Sequence, residues 1–115
     1  AGAMEALTDA AIGVRRAKLS TSSVIDAVGR HFEIPAVDLA GQGRARKVVL
    51  PRQVAMYLMR EESGATLLEI GRALGGRDHT TVMHGIKQIE KALGADPALR
   101  SRLMAIREAL FAAAS

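Results

Sequence analysis

The sequence contains no cysteine, so neither a disulfide framework nor a thiolate zinc site holds its fold, and a reducing interior such as the cytoplasm suits it. It has no tryptophan and three other aromatics, Phe32, Tyr57 and Phe111. An apolar set of Ala, Leu, Ile, Val and Met is left to build the core, which favours helices over sheets. Apolar runs are only a few residues long, far short of the roughly 20 needed to cross a bilayer, and there is no signal-peptide pattern. No G-x-x-x-x-G-K-[ST] loop is present, so nucleotide hydrolysis is not encoded in this segment. Ala1-Gly2-Ala3 before Met4 resembles a tag remnant, and on that reading the chain is expected to be an excised domain of a longer protein.

Acidic residues are missing from one window. Between Asp38 and Glu61 there are none, while Arg44, Arg46, Lys47, Arg52 and Arg60 all fall there, within a chain of net charge +4. That local positive patch suits a polyanionic partner. The 115 residues, 49% of them apolar, suffice for one core and one domain.

Periodicity and caps expect an all-α domain of six helices. The first, over Glu5 to Lys18, is Ala-rich and serves as a linker helix; residues 4–19 are assigned to the linker and 20–115 to the domain. Hydroxyls at 20–23 cap a second helix over 23–33, with Val24, Val28 and Phe32 on its stripe and Pro35 closing it. Val37-Asp38-Leu39 reads as a turn, and Gly41-Gln42-Gly43 as a flexible loop into the basic cluster. A third helix starts at Val48, with Pro51 in its first turn and Arg52, Gln53, Met56 and Arg60 on or near its outer side. Thr66-Leu67-Leu68-Glu69 is a capping box for a fourth helix, about 67–74. Gly75-Gly76 allows a tight turn into a fifth, 78–93, and Asp96-Pro97 opens a sixth. The fourth and fifth have helix-turn-helix proportions.

The fifth helix turns Val82, Ile86, Ile89 and Leu93 inward, leaving Arg77, Asp78, His79, Thr80, Thr81, His84 and Lys87 at its start and outer sides. Asp78 has two readings. It is an N-cap, or it faces a base edge, where cytosine or adenine amino groups donate to a carboxylate that phosphates would repel. His79 and Thr80 then read neighbouring acceptors, and Arg77 holds a phosphate or reaches guanine. His79 and His84, five apart, diverge by about 140° around a helix, so they do not form the i, i+4 pair of a metal site. A flexible arginine-bearing loop beside a helix-turn-helix reaches the adjacent minor groove, and Arg44 or Arg46 is the candidate. Arg52, Gln53 and Arg60 are assigned to phosphates. A transcription factor with the same motif, and a helical bundle docking an acidic protein, remain alternatives.

The stretch "GGRDHTTVMH" at 75–84, with "PRQVAMYL" at 51–58 and "LEIG" at 68–71 upstream, resembles the C-terminal DNA-binding domain of the bacterial chromosomal replication initiator family, DnaA, over about residues 20 to 112. The resemblance implies sequence-specific binding of double-stranded DNA at short A·T-rich replication-origin boxes, in the initiation of chromosomal replication. It implies base contacts by Arg44 in the minor groove and by Asp78, His79, Thr80 and Thr81. It implies backbone contacts by Arg46, Lys47, Arg52, Gln53, Arg60, Arg77 and the main chain of Leu67 and Leu68. No enzyme activity, metal or cofactor belongs to such a domain; ATP binding, oligomerisation and origin melting belong to the family's ATPase domain, which is not in this segment. The isolated domain is expected to be a monomer, cytoplasmic and nucleoid-associated, with no membrane partner. Leu50 and Leu68 replace the Arg and Pro of many members, and Gly85 replaces a common alanine.

Overall fold

The computed structural model describes residues 19–43 and 46–114. The expected helix over 5–18 and the loop arginine Arg44 lie outside the described residues. Within them the chain is helical, with α1 Thr21–Phe32, α2 Ala36–Leu39, α3 Arg46–Glu62, α4 Leu67–Ala73, α5 His79–Ala95 and α6 Pro97–Ala114.

Each boundary has a local cause. Ser20 caps α1 by accepting from the Ser23 amide at 3.1 Å, which starts the helix earlier than the stripe alone suggests. Glu33, in the left-handed region at φ 56°, ends it. Where the sequence reads a turn at 37–39, the chain instead completes a single helical turn from Pro35, and this seats the Leu39 side chain in the core. The Thr66–Glu69 capping box forms as expected, at 3.1 and 2.8 Å. Asp96 accepts from the amides of Ala98 and Leu99 to start α6.

Helix α3 also departs from expectation. It begins at Arg46, so Arg46 and Lys47 lie on a helix turn and not in a loop, and Pro51 falls beyond the first turn. A proline there leaves the Lys47 carbonyl without its i+4 donor, a cost that burial of the helix offsets. Val48, Pro51, Arg52, Val54, Ala55, Met56, Tyr57, Leu58, Met59 and Glu62 are all buried, as expected for a helix enclosed on most sides. α3 is therefore the axis of the domain, with α1, α2, α4 and α5 packed around it and α6 closing against α1 and α5. Leu58, Met59, Ile70, Leu74, Val82, Ile89, Leu103 and Ile106 form much of the core.

The turn between α4 and α5 is closed by one acceptor. The Gly71 carbonyl receives the amides of Leu74, Gly76 and Arg77, at 3.2, 2.9 and 3.0 Å. The chain returns so close that a Cβ on Gly71 would sit 2.0 Å from the Arg77 oxygen. Gly75 and Gly76 both have φ of 83°, a region open to glycine at little cost. The result is a helix-turn-helix.

Candidate nucleic-acid interface

The start of α5 carries short polar side chains because its apolar positions are spaced to leave that side free. Val82, Gly85 and Ile89 are buried, while Asp78, His79, Thr80, Thr81, His84 and Lys87 are exposed. Asp78 is the N-cap: its Oδ1 accepts from the Thr81 amide at 2.8 Å. The hydrogen bond from the Thr81 backbone is the main reason its carboxyl is held below its ordinary pKa, so it stays ionised. Of the two readings in the sequence, the cap is the one this hydrogen bond realises. It also fixes the carboxylate at the helix end, between His79 and the turn.

Gly85 sits on the face of α5 that meets α3. A Cβ there would lie 2.5 Å from Met56 Sδ and 3.3 Å from Gln53 Cγ, so the glycine lets the two helices approach and half-buries Gln53. Arg46 and Lys47 are exposed on the first turn of α3, and Arg60 is exposed near its end, donating to the Ala65 carbonyl at 3.3 Å. Leu67 is half-buried, whereas Leu68 is 60% exposed at the start of α4. The amides of Leu67 and Leu68 lie in a first helical turn, where no i−4 carbonyl is available.

Arg52 requires a correction. The sequence places it on the outer side as a phosphate contact, but it is 5% exposed and its guanidinium faces inward. Nε donates to the Leu39 carbonyl at 2.8 Å, Nη1 to Gly43 at 2.8 Å and Nη2 to Asp38 at 2.9 Å. Arg77 is similarly committed, since it is half-buried and donates from Nη2 to the Gly41 carbonyl at 2.7 Å and from Nη1 to that of Leu74. Burial lowers the pKa of both guanidiniums, and the charge of Arg77 lowers that of Arg52 further. Gln42, read in the sequence only as part of a flexible loop, donates to the Gly75 carbonyl at 3.1 Å. Sequence periodicity did carry one signal for this arrangement: Arg52 stands at i+4 from Val48 and i−4 from Met56, both core residues.

Among the described residues no group of three or more His, Cys, Asp or Glu side chains is placed to hold a metal ion. None of their helices is long and apolar enough to cross a membrane.

Comparison with known proteins places this geometry. The family described as bacterial dnaA protein helix-turn-helix matches residues 21–89. The chromosomal replication initiator protein DnaA of Thermomicrobium roseum is 48% identical over 109 residues, covering 95% of this chain and 23% of that protein. That of Chloroflexus aurantiacus is 47% identical over 106 residues, 92% of this chain and 22% of that protein. The chain thus spans less than a quarter of the length of these relatives. A crystal structure of a DNA replication initiation factor shares the fold, with a TM-score of 0.73 at 23% identity, covering 90% of this chain and 31% of that one. With the family match spanning α1 through most of α5, this chain belongs to the bacterial DnaA helix-turn-helix family of replication initiators.

Proposed function

We propose that this chain is a sequence-specific reader of double-stranded DNA that binds A·T-rich boxes at a replication origin, for the initiation and regulation of chromosomal replication. Membership in the family supports DNA binding in replication initiation. The observation that carries the finer reading is the start of α5, where Asp78, His79, Thr80 and Thr81 stand exposed on a helix end backed by a rigid core. Those four read base edges in the major groove, with the Asp78 carboxylate accepting from base amino groups. Arg44, which follows the loop held by Arg52, enters the adjacent minor groove. Arg46, Lys47, Gln53 and Arg60, with the main-chain amides of Leu67 and Leu68, set the register on the phosphates. The domain binds as a monomer without cofactor and performs no chemistry; ATP binding and assembly on the origin reside in the rest of the initiator.

Asp78→Ser tests this directly. Serine keeps an N-cap oxygen and removes the carboxylate, so the helix start survives. In anisotropy titrations at two salt concentrations, the ratio of affinities for an origin box and a scrambled duplex should fall about tenfold. Equal weakening on both duplexes would remove Asp78 as a base reader.

A further inference from the structure

Two guanidiniums, one buried and one half-buried, converge on one short stretch of backbone. The carbonyls of Asp38, Leu39 and Gly43 accept from Arg52, and that of Gly41 accepts from Arg77, so four carbonyls within six residues are held by two guanidiniums. Arg52 comes from α3 and Arg77 from the turn before α5. Neither pairs with a carboxylate: the ion pairs among the described residues are Arg30–Asp26 and Arg107–Glu62. Burying like charges side by side without counter-ions is unfavourable unless their donors are satisfied, and here the backbone acceptors do that. The same stretch is tied to the turn twice more. Gln42 donates to the Gly75 carbonyl, and Gly75 approaches Ala40 so closely that a Cβ would lie 2.1 Å from the Ala40 oxygen.

From this geometry we propose that Arg52 and Arg77 are positioning residues that lock segment 38–43 onto the helix-turn-helix, so that this segment, which leads into Arg44, and the start of α5 approach DNA as one preformed body. The proposal rests on the DNA-reading function given above. It assigns Arg52 a role through the loop backbone and not through a phosphate. A preordered segment avoids the entropy of organising itself at the moment of binding, and the benefit falls on the matched site, where both elements engage together. Only arginine supplies the fork: the three Arg52 bonds come from three different nitrogens, whereas the lysine ammonium is a single point of charge.

Arg52→Lys in the 115-residue chain separates the roles, because it keeps the charge and removes the fork. Amide exchange by NMR reports on Leu39, Ala40 and Gly41, whose N–H groups bond to the carbonyls of Pro35, Ala36 and Asp38. These amides should exchange at least about tenfold faster. Affinity for the origin box should fall about tenfold, binding to scrambled duplex should stay within about twofold, and the log–log salt slope should be unchanged, since no phosphate contact is lost. Wild-type exchange, with or without lost affinity, overturns the clamp. Should Arg52→Lys fail to fold cooperatively, Arg77→Lys read at Gly41 decides by the same outcomes. If the wild-type chain does not distinguish box from scrambled DNA, the DNA-reading function fails, and the exchange measurement alone decides the clamp.

Discussion

Gly85 and Met56 occupy one contact between α5 and α3: a methyl group on the glycine would come within 2.5 Å of the Met56 sulfur, and Met56 is only 2% exposed. The glycine therefore costs helix propensity on the order of 1 kcal/mol and permits a close helix pair. Gly85→Ala regains that propensity but overpacks a site closed on its other side by Gln53, so a net loss of about 1–2 kcal/mol is expected in denaturant unfolding. Shortening the partner, Met56→Val, should recover part of that loss in the Gly85→Ala background. Additive losses in the double-mutant cycle would show that the contact is not the cause.

The adjacent glycines of the turn should respond unequally. Gly76→Ala meets open space and bears only the positive φ, a loss of about 1 kcal/mol. Gly75→Ala bears the same φ and also drives a methyl into the Ala40 carbonyl, which no rotamer relieves, so its loss should exceed that of Gly76→Ala by about 2 kcal/mol or more. Thermal unfolding of the two variants side by side checks the order. Equal shifts would mean that segment 38–43 moves freely away from the turn.

Acid should loosen the starts of α4 and α5 first. Hydrogen bonds from the Thr66 backbone and side chain lower the Glu69 pKa, and those from Thr81 chiefly lower that of Asp78. A folded pKa below the unfolded one means that the unfolded chain binds more protons. This stabilisation is therefore complete above the ordinary carboxylate value, about 4, and is lost as pH falls through the lowered folded values. Tm measured between pH 6 and pH 2.5, a range of about the carboxylate titration, should fall less steeply in the double variant Asp78→Asn, Glu69→Gln. A parallel fall in both proteins would assign acid sensitivity to other carboxylates.

Caps made most of the fold legible in the sequence. Ser20, the Thr66–Glu69 box, Asp78 and Asp96 are local signals, and each starts a helix where it stands. The single turn α2 was not legible because four residues are too short to show a period. The early start of α3 was hidden because a run of basic residues after glycines has the composition of a loop, and Pro51 suggested a first turn. At the candidate site, the polar start of α5 could be read from its own stripe. The inward direction of Arg52 was signalled only by its spacing of four from Val48 and Met56, and its partners could not be read at all, since they are carbonyls 9 to 14 residues away, brought there by α2. The reason for Gly85 likewise lies on another helix.

The burial of α3 on most sides limits how the helix-turn-helix can be reused. Val82, Gly85 and Ile89 of α5 and Ile70 of α4 are covered in the intact domain, and α3 forms much of that cover. A peptide of residues 66–95 alone would expose this face, and its seven-residue α4 is too short to persist in water. Grafting the reading head onto another scaffold thus means transplanting α3 with it, together with segment 38–43 that its arginine holds.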